Sequence, residues 1–291
     1  WRIATGEKLA GGVGADRRLV VVGTEKGQVM AFDAESGKPR WTARVSSEVL
    51  AAPVVGENLV AVRSVDARIV GLDVADGKRR WAYQRVTPAL TLRSNVGMLM
   101  VDNMVLAGFP GGKLVAINGK NGAATWEATV AVPKGATELE RVADITSLPV
   151  ADEREVCAAA YQGRVACFEL STGTQVWARD ISSSAGLDMD KTRVYVSDDK
   201  GAVQAFARDS GASLWKQDKL ANRGLSRPIV LDRRVAVADF QGFVHFLNVE
   251  DGAFVARAAT DGSAIRAEPQ RLAGGLVVQT RKGGVVALGV K

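Results

Sequence analysis

Short apolar runs separated by turn residues fill the chain from end to end. Near the start, residues 19–22 and 29–32 are apolar, and a turn containing Gly27 separates them. Short β-branched runs on either side of a glycine turn predict a β-hairpin. No window sustains the 3.6-residue apolar period of an amphipathic helix. Because many runs are continuously apolar rather than alternating, we expect both faces of each sheet to be covered.

The hairpin recurs with two fixed distances, 14 residues from Gly27 to Trp41 and 4 from Gly37 to Trp41. Five further copies keep this spacing: Ala67, Gly77 and Trp81; Gly112, Gly122 and Trp126; Gly163, Gly173 and Trp177; Gly201, Gly211 and Trp215; Gly242, Gly252 and Ala256. In the last of these, alanine replaces the tryptophan. A seventh copy begins at Gly283 or Gly284. One module therefore makes up nearly the whole chain.

Each hairpin is preceded by a further short run of residues with strand character and followed by another. The preceding run often carries proline, as at residues 52–55, 148–150, 227–230 and 268–269. Proline cannot donate to a ladder, so this run predicts an edge strand. A fourth run begins at the tryptophan. Four-stranded repeats of about 40 residues are typical of a β-propeller.

We therefore predict an all-β fold, with residues 1–291 forming one β-propeller domain of four-stranded antiparallel blades, seven of them encoded here. The proline-bearing strands are expected to line the central channel, and the tryptophans to pack between adjacent blades. Residues 1–3 resemble a fourth strand, whereas the last repeat offers only three. Because a closed ring leaves no exposed sheet edge, we expect residues 1–3 to pair with the last repeat. The chain starts at Trp1 within a repeat, so we also expect it to be processed or trimmed.

Two intervals between tryptophans are longer than the rest, so two repeats carry insertions. The first insertion (residues 87–94) follows Trp81, and the second (residues 132–146) follows Trp126. Insertions in a repeat array map to loops on one face, often the binding face. The second mixes charged and apolar residues and predicts a short helical turn. In the first, Leu90 and Leu92 beside Arg93 fit an interface hot spot, or they simply begin the next inner strand.

Composition is that of a globular protein, with 47% hydrophobic and 24% charged residues. The formal net charge is +6, but the basic residues are scattered in short clusters. Binding to nucleic acid would favour a basic stripe with stacking aromatic residues, so a diffuse solvated positive face is the better interpretation. No apolar stretch reaches the 18 residues that predict a transmembrane helix.

Residues with catalytic or metal-binding chemistry are sparse. The single histidine, His245, lies in an apolar run and is interpreted as a packed strand residue rather than a base. One histidine and two separated cysteines do not make an ordinary zinc site. No serine-histidine-aspartate set, nucleophile elbow or phosphate loop is present. The sequence predicts no catalytic residues, no metal site and no cofactor.

The two cysteines, Cys157 and Cys167, flank the turn at Gly163. If residues 162 and 163 form that turn, the two side chains face opposite sides of the hairpin. On that register, two buried thiols are favoured over a disulfide.

The repeat pattern resembles that of quinone-cofactor dehydrogenases and their non-enzymatic relatives. Within this group, the whole chain is similar to the lipoprotein propellers of the outer-membrane β-barrel assembly (BAM) machinery. The most specific similarities are Leu-Thr-Leu-Arg at 90–93, which resembles that family's L-x-L-R segment, and residues 135–144, which resemble its G-[SA]-T-E-[IL]-x-R-x-x-D segment. The segment 249–256, with its missing tryptophan, also matches.

In that family the first insertion, with acidic help from the second, docks onto a periplasmic POTRA domain of the barrel-inserting protein BamA. Carried over position by position, the partner-binding residues are Leu90, Leu92, Arg93, Glu138, Arg141 and Asp144. A second acidic position, two residues after Asp144, is Thr146 here and does not carry over.

The resemblance implies a non-enzymatic scaffold at the periplasmic face of the outer membrane that assists outer-membrane protein assembly, with nascent outer-membrane proteins as further candidate partners. It also implies eight blades and a lipidated N-terminal cysteine. Neither a first full blade nor that cysteine is visible, so we expect residues before Trp1. Two alternatives stay open: a quinone-dependent dehydrogenase, which needs a cofactor cavity and a calcium site, and a generic propeller that binds another protein.

Overall fold

The computed structural model describes residues 1–92 and 95–289. Within them, 27 strands form seven antiparallel sheets, and the strands of each sheet follow one another in chain order. These sheets are the blades. No helix in the described part of the chain is long and apolar enough to cross a membrane.

The first four blades are built from sixteen strands. Their bounds are β1 (Gly14–Ala15), β2 (Leu19–Gly23), β3 (Gln28–Asp33) and β4 (Pro39–Arg44) in blade 1; β5 (Val54–Val55), β6 (Leu59–Arg63), β7 (Arg68–Asp73) and β8 (Arg79–Gln84) in blade 2; β9 (Met98–Val101), β10 (Met104–Phe109), β11 (Lys113–Asn118) and β12 (Ala124–Thr129) in blade 3; and β13 (Val150–Ala151), β14 (Glu155–Ala159), β15 (Val165–Glu169) and β16 (Gln175–Arg179) in blade 4.

The remaining three blades contain eleven strands. These are β17 (Gly186–Met189), β18 (Arg193–Ser197), β19 (Val203–Ala207) and β20 (Ser213–Gln217) in blade 5; β21 (Ile229–Leu231), β22 (Arg234–Ala238), β23 (Phe243–Asn248) and β24 (Phe254–Ala259) in blade 6; and β25 (Gln270–Leu272), β26 (Gly275–Gln279) and β27 (Val285–Gly289) in blade 7.

The first strands of successive blades touch one another, from β1 through β5, β9, β13, β17 and β21 to β25. They therefore form the inner wall of the propeller, where the sequence predicted the proline-bearing strands. The apolar core lies between blades: Val21 and Val29 of blade 1, for example, share one buried cluster with Val60 and Val62 of blade 2. The predicted all-β propeller fold is confirmed.

Each tryptophan of the module fastens its blade to the next one. The indole nitrogen of Trp41 donates a hydrogen bond to the carbonyl oxygen of Val74 at 2.9 Å. Its ring covers Gly77, where a Cβ atom would come within 2.5 Å of the ring. Equivalent bonds join Trp1 to Ala34 (3.1 Å), Trp81 to Gly119 (2.7 Å), Trp126 to Leu170 (2.8 Å), Trp177 to Arg208 (2.7 Å) and Trp215 to Val249 (2.8 Å). The prediction that the tryptophans pack between blades is confirmed for the five from Trp41 to Trp215, whereas Trp1 belongs to no blade and is 61% exposed.

Blade 7 departs from the expectation for its closure. Its sheet has three strands, and residues 1–3 belong to no strand. Trp1 instead packs over Gly37 of blade 1 and bonds to Ala34, as the other tryptophans do with the blade that follows them. Among the described residues, no strand pairs with the outer edge of β27. The expected pairing of residues 1–3 with the last repeat was therefore wrong.

The cysteines also depart from the prediction. Cys157 on β14 and Cys167 on β15 are direct cross-strand partners, with Cα atoms 4.1 Å apart, and they form a buried disulfide. The last bonded pair of the hairpin is Ala160 with Arg164, which leaves a three-residue turn at 161–163. The prediction assumed a two-residue turn. Such a turn shifts the register by one position and places the two thiols on opposite faces of the hairpin. The preference for two free thiols was wrong for that reason.

Candidate partner-binding surface

The carboxylate of Asp144 joins the two insertions. Its side chain is 3% exposed. One oxygen accepts a hydrogen bond from the backbone nitrogen of Leu92 at 2.7 Å, and the other accepts one from Gly111 at 3.0 Å. The carbonyl of Asp144 in turn accepts the backbone N–H of Tyr161 at 2.8 Å. The second insertion therefore anchors the first insertion against the turn between β10 and β11.

Two of the candidate residues are half-exposed apolar side chains. Leu90 is 40% exposed and Leu92 is 39% exposed, so neither begins an inner strand; the next strand, β9, begins at Met98. Exposed apolar side chains also occur in the second insertion and beside the first: Val65, Val86, Val132 and Leu139. Sequence reasoning did not single out Val65, Val86 or Val132 as exposed, because single exposed valines follow no period. Arg93 lies outside the described residues.

The second insertion contains one helical turn, as its composition predicted. The Glu140 carboxylate accepts hydrogen bonds from the backbone N–H groups of Thr137 (3.1 Å) and Ala136 (2.7 Å), and the N–H of Glu140 donates to the Thr137 hydroxyl (3.3 Å). This reciprocal pattern is that of a capping box. The backbone hydrogen bonds, with that of Thr137 the largest cause, hold the pKa of Glu140 below its usual value. These hydrogen bonds hold the turn locally.

Glu138 and Arg141 lie on this helical turn, and both are exposed. The Arg141 Nε atom donates to the carbonyl of Gly135 at 3.0 Å, whereas Glu138 makes no ion pair within residues 1–92 and 95–289. Thr146, at the position that does not carry over, has a buried hydroxyl with no hydrogen-bond partner among the described residues. The structure therefore brings Leu92 and Asp144 into contact and leaves Glu138 and Arg141 at the solvent surface.

His245 lies on β23 of blade 6 and belongs to neither insertion. Its Nε2 atom is 2.8 Å from a carboxylate oxygen of Asp239, which also accepts a hydrogen bond from Arg223 at 2.6 Å. The other oxygen of Asp239 accepts the backbone N–H groups of Gln241 and Phe243 and so caps the β22–β23 turn. Burial raises the pKa of Asp239, but the hydrogen bonds, first that of His245, outweigh it and hold the pKa below its usual value. The histidine is buried, as the sequence predicted.

Comparison with known proteins decides the family. A sequence model described as "Outer membrane protein assembly factor BamB" matches residues 1–217 and 199–291. The chain belongs to the BamB family. The BamB of Nitrosomonas eutropha is 49% identical over 292 residues, which span 100% of this chain and 71% of that relative. The BamB of Bordetella pertussis is 45% identical over 98% of this chain and 74% of its own length.

A solved BamB shares the architecture as well. The crystal structure of BamB from Moraxella catarrhalis is similar with a TM-score of 0.93 and 31% identity, over 99% of this chain and 87% of that one. The family resemblance inferred from the repeat and the two insertions is confirmed. The assignment of individual partner-binding residues stays a prediction.

Proposed function

We propose that this chain is a non-enzymatic scaffold in the assembly of outer-membrane proteins. The relatives that it matches over nearly its whole length carry the name outer membrane protein assembly factor. Beyond the family name, one observation carries the proposal. The Leu92 backbone N–H donates a hydrogen bond to the Asp144 carboxylate, and this bond fixes the position of the first insertion. A rigid ring that presents a fixed loop is suited to binding another protein.

The proposed partner is a periplasmic POTRA domain of BamA. Leu90 and Leu92 are half-exposed apolar side chains, which is the character of interface anchors. Because Asp144 orders the loop before binding, less conformational entropy is lost when the partner docks. Since Asp144 itself is buried, it supports the site by positioning Leu92 rather than by touching the partner. Glu138 and Arg141 are the exposed charged residues beside these anchors.

The disulfide supports a location at the periplasmic face of the outer membrane. Disulfides persist in oxidising compartments, and the bacterial periplasm is one of them. The bond between Cys157 and Cys167 is buried within blade 4, as expected of a structural cross-link. A lipid anchor stays a prediction of the family resemblance.

We further propose that residues 1–291 act as one propeller domain. The hydrogen bond from each tryptophan indole to the following blade, here called a tryptophan clamp, joins each of the first six blades to the blade before it or to Trp1.

The first test is a binding titration of this chain against the POTRA domains of BamA, beside two single variants. We expect Leu92→Ala to weaken binding by about 1–3 kcal/mol, as truncation of a hot-spot residue does. Leu214→Ala is the matched control, since Leu214 is also exposed but lies on β20 of blade 5. Equal affinities of the two variants would place the contact elsewhere, and a folded wild-type chain that does not bind would contradict the choice of partner.

A further inference from the structure

Arg63, at the end of β6, carries a charge that no carboxylate of the described residues neutralises. Its Nη1 atom donates a hydrogen bond to the carbonyl oxygen of Gly108 at 2.7 Å, and its guanidinium lies 5.0 Å from the centre of the Phe109 ring. Among residues 1–92 and 95–289, none forms an ion pair with it. Burial lowers the pKa of Arg63 to about 10, so the side chain is still a cation at neutral pH.

A cavity of about 180 Å³ opens beside this side chain; we call it the Arg63 cavity. Leu50, Leu92 and Pro110 form apolar parts of its wall. Val65 and Leu92 are exposed, so the cavity reaches the surface at these two side chains. Leu92 thus belongs both to the proposed docking surface and to the wall of the cavity.

The chemistry of this cavity fits one class of ligand group. A guanidinium offers five N–H donors in a planar fork, and one nitrogen of Arg63 is occupied by the residues that the structure describes. A carboxylate matches that fork with two parallel hydrogen bonds. Leu50, Leu92 and Pro110 cover part of the wall, and a partner seated over them would shield the charge-assisted hydrogen bond from water and so strengthen it. The hydroxyl-bearing residues Thr87 and Thr91 also line the cavity and are suited to further contacts with an acidic group.

We propose that the Arg63 cavity receives an aspartate or glutamate side chain of the docking partner, which pairs with the Arg63 guanidinium. This inference rests on the proposed function, because the cavity opens at Leu92 on the proposed docking surface. An apolar contact on Leu92 and a carboxylate beside it would then fix the partner at two adjacent points. Arg63 becomes a specificity-determining residue of the interface that the repeat pattern gave no reason to single out.

The test compares two arginine variants in titrations against the POTRA domains of BamA. We expect Arg63→Met to weaken binding at least about tenfold, as loss of one member of a desolvated charge pair does, and to reduce the dependence of affinity on salt. The control is Arg40→Met, because Arg40 is exposed on β4 and pairs with Asp33 instead. We expect its affinity to match that of the wild type. Thermal unfolding of both variants shows whether the fold is retained.

The outcomes separate this inference from the proposed function. If Leu92→Ala weakens binding and a folded Arg63→Met does not, the partner stands and the carboxylate site is overturned. If the wild-type chain does not bind, the proposed function fails first. If Arg63→Met does not fold, Arg63→Gln, which removes the charge and keeps an N–H donor for Gly108, replaces it in double-mutant cycles with the acidic residues of the POTRA domains, each changed to its amide. One residue whose change weakens binding of the wild type but not of the variant supports the pairing; no such residue overturns it.

Discussion

A single buried carboxylate decides the geometry of the proposed docking surface. The family resemblance implied that Asp144 contacts the partner, yet the residue is 3% exposed and both oxygens accept backbone N–H groups of this chain. The resemblance singled out Asp144, because acidic residues in the matching segment are distinctive, and its place in a partner-binding site stays a prediction. Its role could not be read from the sequence, since burial depends on where the first insertion folds back.

Replacing that carboxylate should separate positioning from contact. We expect Asp144→Ala to lower the free energy of unfolding by about 1–3 kcal/mol, because the N–H groups of Leu92 and Gly111 lose their acceptors. Affinity for the partner should fall as well, since Leu92 is no longer held in place. Asp144→Asn, which keeps one acceptor oxygen, is the control and should retain more of both. Urea unfolding and the binding titration measure the two effects; unchanged values for Asp144→Ala would contradict this role.

At the scale of the strands, the hairpins were predictable and their exact registers were not. Turns between apolar runs, with glycine in every blade except blade 2, where Ala67 takes its place, marked the second and third strands. In blade 4 the turn contains Gln162 with φ of +49°, a left-handed conformation that glutamine seldom adopts. Nothing in the sequence signals such a residue. That one extra turn position moved Cys157 opposite Cys167 and created the cross-link that we had not expected.

The disulfide should contribute measurably to the stability of blade 4. It closes a short loop, with a sequence separation of 10 residues between the cysteines. Loop-closure entropy for such a loop predicts that the Cys157→Ala, Cys167→Ala double variant loses about 2–3 kcal/mol of unfolding free energy. Urea unfolding without and with reductant provides the measurement. Reductant should lower the urea midpoint of the wild type and leave that of the double variant unchanged. Equal midpoints of the two proteins without reductant would refute the estimate.

For the whole molecule, the repeat made the propeller predictable, but the contacts at its ends depend on which blade each tryptophan meets. Residues 1–3 have the sequence of a fourth strand, and that sequence fits packing against blade 1 as well as pairing with blade 7. Arg208 is a second example. It occupies the position held by Val74, Leu170 and Val249 in other blades, but its side chain reaches back to Asp152 and Glu155 of blade 4. A period in the sequence cannot reveal such an exception.

The tryptophan clamps should dominate the stability of the ring. We expect Trp126→Phe to cost about 1–3 kcal/mol, because the buried carbonyl of Leu170 loses its hydrogen-bond donor. Trp1→Phe is the matched control: its bond to Ala34 has a similar length, but Trp1 is 61% exposed and water can replace the indole. Urea unfolding followed by circular dichroism compares the two. Equal losses in both variants would show that burial of the clamp does not matter.

These clamps also give the ring a direction. Each tryptophan from Trp41 to Trp215 reaches forward, from its own blade to a glycine of the blade that follows in the chain. When the chain emerges N-terminus first, each of blades 2 to 6 therefore meets a preceding blade that already carries its tryptophan. For these five blades, the order in which they emerge is the order in which they can be fastened, and none of them needs a later blade to supply its tryptophan.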